Sequence, residues 1–173
     1  MRNNKINNKV TLDDIISECK LLKVSVGKII DTLYDFKKNR YNSLKGSIIH
    51  YKLGFNNDEL FQRYLDLSSY GYDNTYLLIR GVPDRIVLPY VDELKTTVRN
   101  NDGIIIDVAV DQLQLYMFIT GLDKGRLYIY YKDTKELELF DTYRFNRERF
   151  DDIIRTFMEL YSKRKRISNS NSR

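Results

Sequence analysis

Four apolar, β-rich segments in the second half of the chain are separated only by short connectors, and this spacing limits the available folds. The segments are residues 104–110, 114–120, 127–131 and 137–143. A short connector joins antiparallel strands, because a parallel pair needs a crossover connection of a dozen or more residues. With a further strand predicted over residues 76–80, the pattern predicts an antiparallel sheet of about five strands.

Helices are predicted on either side of this sheet, from apolar residues at helical spacing. Residues 11–19 and 24–36 form a predicted N-terminal helical hairpin, and residues 146–161 form a C-terminal helix. The remaining segments are predicted as a strand or short hairpin over 41–55, a helix over 56–67 and a helix over 90–99. The predicted fold class is therefore α+β, with an N-terminal helical hairpin, an antiparallel sheet and a C-terminal capping helix.

Charge divides the 173 residues into parts of opposite sign. Residues 1–52 hold 11 Lys/Arg against 5 Asp/Glu, residues 53–162 hold 13 against 19, and residues 163–173 hold 5 against none. The chain is accordingly divided into a flexible leader (1–10), a basic helical segment (11–55), an acidic α+β domain (56–162) and a basic disordered tail (163–173). Either the basic parts bind a separate acidic molecule, or they lie against the acidic domain of the same chain.

A single cysteine, Cys19, and a single histidine, His50, exclude several kinds of site. One cysteine forms no disulfide within the chain, and one histidine cannot supply a cluster of His and Cys ligands for zinc. The N-terminus has no apolar signal region, and no window approaches 18 apolar residues, so no membrane partner is predicted. We predict a cytoplasmic protein, or a nuclear one in a cell with a nucleus, and no cofactor.

Residues 12–31 fit the spacing of a helix-turn-helix, in which a second helix presents side chains to the DNA major groove. The segment is similar to the turn and recognition helix of many bacterial regulators, and its buried positions are Ile15, Cys19, Leu21, Val26, Ile29 and Ile30. The nucleic-acid contacts implied by this resemblance and the following basic run are Lys23, Ser25, Lys28, Lys37, Lys38 and Arg40. Because Lys20 stands where such a turn usually has glycine, an ordinary helical hairpin is the alternative.

A second basic cluster follows the C-terminal helix and consists of Lys163, Arg164, Lys165 and Arg166. Four consecutive cations suit phosphate groups or an acidic protein face. Cations also complement the negative end of a helix, so a solvated helix end is the alternative interpretation.

One short pattern resembles that of the PD-(D/E)xK nucleases: Pro83-Asp84, followed by Glu93-Leu94-Lys95. The resemblance implies that the two acids bind magnesium and that the lysine assists the attacking water. In that family the acid-x-Lys element lies on a buried strand, whereas residues 90–99 are predicted here to be helical. We therefore predict no catalytic residue, no metal site and no enzymatic activity, and we predict that His50 is a packed or surface histidine.

Tyrosines are abundant on the predicted sheet, in a region that is net acidic. They are Tyr116, Tyr128, Tyr130, Tyr131 and Tyr143. Tyrosine is favoured at protein interfaces because it buries a large area and keeps a polar group. The predicted function is a small non-enzymatic regulator that binds nucleic acid through its basic head and dimerises or binds a protein through its α+β domain. The alternative is an inhibitor of the immunity or anti-defence type, which neutralises a basic enzyme through the acidic, tyrosine-rich face.

Overall fold

The structure, a computed structural model, describes residues 19–35, 40–99 and 103–170, with only the backbone described for 40–45 and 165–170. The strands are β1 (Lys20–Ser25), β2 (Phe61–Asp66), β3 (Thr75–Gly81), β4 (Arg85–Val87), β5 (Tyr90–Thr97), β6 (Lys124–Tyr131) and β7 (Glu136–Arg144). The α-helices are α1 (Val26–Tyr34), α2 (Arg40–Lys52), α3 (Gly103–Thr120) and α4 (Arg147–Ser170), and a 3₁₀ turn spans Ser68–Tyr70.

The described strands form two sheets. The first has the order β1-β3-β2, with β1 parallel and β2 antiparallel to β3. The second has the order β4-β5-β6-β7, in which β5 and β6 are parallel and the two outer pairs are antiparallel. Helix α3 is the crossover that the parallel pair requires, and it packs against strands of both sheets.

The mixed α+β class is confirmed, but the predicted single sheet of about five strands is wrong, because the strands divide between two sheets. The predicted N-terminal helical hairpin is not confirmed, although most of its second helix, predicted over 24–36, is present as α1 (Val26–Tyr34). Lys20–Ser25 is strand β1, in which Val24 is buried and alternate side chains are exposed. Its backbone pairs with β3 along its whole length, so a strand replaces the turn predicted between the two helices and the first two residues of the second helix. Residues 11–18 of that prediction lie outside the described part of the chain.

Two of the predicted strands, 104–110 and 114–120, are one continuous helix, α3. The segment is apolar on almost every side because α3 lies in the core, where Leu113, Leu115 and Met117 are buried. A helix buried all round has no apolar stripe, so periodicity alone does not distinguish it from buried strands. By length and composition α3 also meets the criteria for a membrane span, although 61% of that window is buried inside the protein.

Three further segments have the opposite structure from the one predicted. Residues 90–99 were predicted as a helix but contain β5, in which four consecutive residues from Val91 to Leu94 are buried. A strand covered on both faces loses the alternation that identifies a strand. Residues 41–55 contain most of helix α2, and residues 56–67 contain strand β2, which gains its hydrogen-bond partners from β3.

The C-terminal helix and the last two strands are confirmed. Strands β6 and β7 contain the predicted segments 127–131 and 137–143. Helix α4 contains nearly all of the predicted 146–161 segment and continues to Ser170. Its buried stripe packs against α1 and α3 and consists of Phe150, Ile153, Ile154, Phe157 and Met158.

Candidate active site

The hairpin of β4 and β5 brings two carboxylates together. Asp84 directly precedes β4, and because Arg85 pairs with Asp92, Asp84 lies beside Glu93 on the neighbouring strand. One carboxylate oxygen of Asp84, Oδ2, accepts a hydrogen bond of 2.8 Å from the backbone N–H of Leu94. These contacts place Asp84 at the edge of the sheet and Glu93 inside it.

Lys95 lies on the same face of β5 as Glu93, because side chains two residues apart in a strand point the same way. Its ammonium nitrogen is 2.5 Å from Oε1 of Glu93. The same nitrogen donates to Oε1 of Gln112, on α3, at 2.8 Å, and the amide of Gln112 donates to the hydroxyl of Tyr116 at 3.4 Å. Helix α3 thus supplies the polar partner that holds the lysine against the carboxylate.

His50 completes the cluster from α2. Its Nδ1 is 3.2 Å from Oδ1 of Asp84. The side chains of His50 and Asp84 are 25% and 19% exposed, while Glu93 is 1% exposed. The cluster is therefore closed on the side of Glu93 and open to solvent on the side of His50 and Asp84.

Burial dominates the electrostatics of the two acids. Burial, together with the negative charge of Asp84, raises the pKa of Glu93 to about 7, although the Lys95 ammonium acts in the opposite direction. Burial lowers the pKa of His50, but the hydrogen bond and charge of Asp84 outweigh it, so that this pKa lies above its usual value. Both shifts arise because titratable groups are crowded into a poorly solvated site.

One atom of the cluster is unsatisfied. Oε2 of Glu93 is buried and has no hydrogen-bond partner, and it is the one such side-chain atom in the described part of the chain. An unpaired buried oxygen costs about 1–3 kcal/mol, and more when it is charged. Within residues 19–35, 40–99 and 103–170, no three His, Cys, Asp or Glu side chains are gathered closely enough to hold a metal ion by themselves.

Asp84, Glu93 and Lys95 form a recognisable pattern in the sequence, but the prediction of no catalytic residue is based on an incorrect secondary structure. The predicted helix over 90–99 put the acid-x-Lys element in the wrong context, whereas the structure has it on the buried strand β5. His50 and Gln112 were not connected with the pattern at all, since each reaches the cluster from a different helix. A partly buried Gln or His carries no local signal that identifies its partner.

The predicted nucleic-acid contacts near the N-terminus lie at the junction of β1 and α1. Lys23 and Lys28 are exposed, and neither is ion-paired with a carboxylate of the described residues. The hydroxyl of Ser25 caps α1 by accepting from the N–H of Lys28 at 3.1 Å. Arg40 is the first residue of α2. The other two predicted contacts, Lys37 and Lys38, lie outside the described residues.

The predicted basic tail extends the last helix. Lys163 and Arg164 are exposed on α4, and Arg164 is 3.3 Å from Oδ1 of Asp35, the residue that ends α1. Lys165 and Arg166 continue the helical backbone. Among the side chains of this cluster that the structure describes, Arg164 is paired with Asp35, and the role of the cluster in binding stays a prediction.

The fold has similarities among solved structures. SSO0001 is similar over 81% of this chain and 75% of its own, with 19% identity and a TM-score of 0.61. An alkaline exonuclease from Laribacter hongkongensis, LHK-Exo, matches 87% of this chain and 93% of its own, with 12% identity and a TM-score of 0.43. A phage related exonuclease from Haemophilus somnus 129PT matches 92% of this chain and 84% of its own, with 12% identity and a TM-score of 0.46. No protein-family model matches the sequence, and comparison with curated proteins finds no significant match.

The predicted non-enzymatic regulator with a helix-turn-helix is wrong. A helix-turn-helix needs a turn and a helix here, but Lys20–Ser25 is strand β1, paired with β3, in a fold shared with SSO0001. The prediction of no enzymatic activity is also wrong in its premise, because Glu93 and Lys95 lie on the buried strand β5 and not on a helix, with Asp84 beside them.

Proposed function

We propose that this protein is a metal-dependent nuclease that hydrolyses phosphodiester bonds at the cluster of Asp84, Glu93 and Lys95. The observation that carries the proposal is the unpaired, buried Oε2 of Glu93 beside a second, partly exposed carboxylate. The resemblance to the PD-(D/E)xK pattern supports it, since the acid-x-Lys element lies on a buried strand as it does in that family.

The residues present fit a divalent cation. Mg²⁺ keeps several water ligands and is usually held by one or two carboxylates together with substrate phosphates, so Asp84 and Glu93 suffice without a third acidic side chain. An ion bound by them would satisfy Oε2 of Glu93 and offset the repulsion between the two carboxylates. When bound, such an ion supplies Lewis acidity toward a phosphate oxygen and lowers the pKa of a bound water.

The remaining side chains orient and charge the site. Lys95 brings a positive charge next to Glu93, where it can hold the attacking water and balance the negative charge that develops on the phosphate. Gln112 holds the ammonium of Lys95 in this position, at 2.8 Å. His50 holds Asp84 from the solvent side, at 3.2 Å. Hydrolysis forms a bond between the water oxygen and phosphorus and breaks one of the two P–O ester bonds. The leaving oxygen takes up a proton and departs as a hydroxyl group.

Nucleic acid is the proposed substrate, and the predicted basic residues are proposed contacts for its phosphates. The junction of β1 and α1 lies against the end of β3 that leads to Asp84: a Cβ added at Gly81 would be 3.0 Å from Cγ2 of Val26. Lys23 and Lys28 are exposed on either side of this junction. Cations there would bind the backbone of a strand that enters the site, with an affinity that falls as salt concentration rises.

A nuclease assay tests the proposal directly. Fluorescently labelled DNA and RNA, single- and double-stranded, are incubated with the protein in Mg²⁺, in Mn²⁺ or in EDTA. We expect cleavage only with a divalent ion, and we expect Asp84→Asn to reduce the rate by at least about 100-fold. The matched control is Asp152→Asn, which changes an aspartate that is 68% exposed on α4. Cleavage that persists in EDTA, or that Asp84→Asn leaves intact, would refute the proposal.

A further inference from the structure

A second cluster lies on the opposite face of β5, directly behind the proposed site. Asp92 is completely buried between two arginines of the neighbouring strands. Arg85, on β4, donates from Nε to its carboxylate at 2.8 Å. Arg126, on β6, donates from Nε at 2.7 Å and from Nη2 at 2.9 Å. The three residues are register partners across three adjacent strands.

Aromatic rings hold the two guanidinium groups in place. The guanidinium carbon of Arg85 lies 3.8 Å from the ring centroid of Phe55, and that of Arg126 lies 4.5 Å from the centroid of Tyr90. Tyr128 is within 5.6 Å of both guanidinium carbons. Stacking of this kind favours a planar cation and limits its freedom, so the arginines form rigid links rather than loose surface pairs.

Strand β4 needs such a link more than its neighbours do. It has only 3 residues and lies at the edge of its sheet, so few backbone hydrogen bonds hold it to β5. Arg85 follows Asp84 directly, and Asp92 precedes Glu93 directly. A shift of β4 along β5 would therefore move one proposed metal-binding carboxylate relative to the other.

We propose that Arg85 is a positioning residue: by anchoring β4 to the buried carboxylate of Asp92, it sets the separation of Asp84 and Glu93. The effect on metal binding rests on the proposed function, whereas the anchoring of β4 by Arg85 does not depend on it. Arg126 binds the same carboxylate from β6, a long strand of 8 residues that carries neither acid. Loss of Arg126 weakens the cluster without releasing β4.

The two arginines make a matched pair for the experiment. Arg126→Gln removes two hydrogen bonds to Asp92, and Arg85→Gln removes one, so Arg126→Gln is expected to lower the melting temperature at least as much. The first readout is hydrogen exchange at the backbone N–H of Leu94 in metal-free protein, because that N–H donates to Asp84. The second readout is Mn²⁺ affinity, measured by calorimetry.

We expect Arg85→Gln to accelerate exchange at Leu94 and weaken Mn²⁺ binding about tenfold, a typical effect of losing an outer-shell partner of a metal ligand. Arg126→Gln should leave the exchange rate at Leu94 and the Mn²⁺ affinity within about twofold of wild type, because Arg126 does not hold the strand that leads from a metal ligand. If Arg85→Gln does not fold, Arg85→Lys, which keeps the charge but not the planar fork, provides the same comparison. Equal effects of the two variants, or a larger effect of Arg126→Gln, would overturn the inference.

The two readouts separate this inference from the proposed function. Faster exchange at Leu94 in Arg85→Gln alone, with no Mn²⁺ binding even in wild type, would support the role of Arg85 and refute the metal site. If wild type binds Mn²⁺ and exchange at Leu94 is unchanged in Arg85→Gln, the metal site is supported and the role of Arg85 is refuted.

Discussion

The ammonium nitrogen of Lys95 lies 2.5 Å from Oε1 of Glu93, while Oε2 of the same carboxylate has no partner among the described residues. Lys95 therefore compensates one oxygen of a buried carboxylate and leaves the other without a partner, in a site where the negative charge of Asp84 also acts on Glu93. A site of this form is unfavourable to the fold by itself, because burying a charge without full compensation costs free energy. Such costs are typical of functional sites.

Replacing Lys95 by methionine should abolish cleavage and leave the fold intact. Methionine keeps the length of the side chain but removes the ammonium, so the rate should fall by about 10²–10⁴-fold. Without the positive charge, the pKa of Glu93 should rise further, because Lys95 lowers it in the wild type. Cleavage kinetics measure the loss of rate, and thermal unfolding checks that the fold is intact. Lys132→Met, at an exposed lysine, is the control. A variant that retains at least half of the wild-type rate would contradict a role for the ammonium.

Stability should depend on pH through Glu93. Its pKa in the folded protein is about 7, above the ordinary glutamate value of 4.5. Between these values the native state binds more protons than the unfolded state, so its stability falls as pH rises. A shift of one pKa unit corresponds to about 1.4 kcal/mol, so Glu93 contributes up to about 3 kcal/mol to the free energy of unfolding at low pH. This contribution is lost between about pH 4.5 and 8.

The measurement is denaturant unfolding of wild type and Glu93→Gln in EDTA at several pH values. His50 also loses a stabilising interaction as pH rises through its raised pKa, and because the charge of Glu93 helps to raise that pKa, Glu93→Gln removes part of this loss as well, in the same direction. The wild type should lose stability relative to Glu93→Gln as pH increases. The opposite slope would mean that the pKa of Glu93 is lowered in the folded protein.

Charge reversal at Lys28 should weaken substrate binding and leave the chemical step unchanged. Lys28→Glu removes a proposed phosphate-binding cation, so KM should rise while kcat stays within about twofold. The salt dependence of binding should become shallower, by about 0.7–0.9 in the slope of log K against log salt for each phosphate that the variant no longer neutralises. Fluorescence anisotropy with an inactive Asp84→Asn protein measures this slope, and Lys132→Glu is the matched reversal. Equal effects of the two reversals would show that Lys28 has no special role in binding.

Asp111 should be important for stability. Its Oδ2 accepts from the hydroxyl of Tyr34, on α1, at 2.7 Å, and its Oδ1 accepts from Nε of Arg149, on α4, at 2.6 Å. Asp111→Asn removes the charge that joins three helices and should cost about 1–3 kcal/mol. Asp107→Asn, at an exposed position on α3, should cost less than about 0.5 kcal/mol. Chemical denaturation of both variants provides the comparison, and equal stabilities would contradict the proposed link.

Elements in which the local pattern and the tertiary structure agree were predictable from the sequence. The stripe of α4 that includes Phe150 and Phe157 is buried as predicted, because one face of this helix packs on the core and the other is solvated. Strand β6 alternates between buried and partly exposed residues, so its period of two was visible. Helix α3 and strand β5 were not predictable, because they are buried too completely to show either a helical or a strand period.

The amino-acid sequence alone determined the composition of the candidate site: two acids and a lysine at the spacing of Asp84, Glu93 and Lys95. It also determined the mixed α+β class, through the alternating pattern of β6 and the amphipathic pattern of α4. Only the tertiary structure decided that these three residues meet, and that His50 and Gln112 join them. The reason is physical: whether a buried apolar segment becomes helix or strand depends on the neighbours that cover it, and those neighbours come from distant parts of the chain.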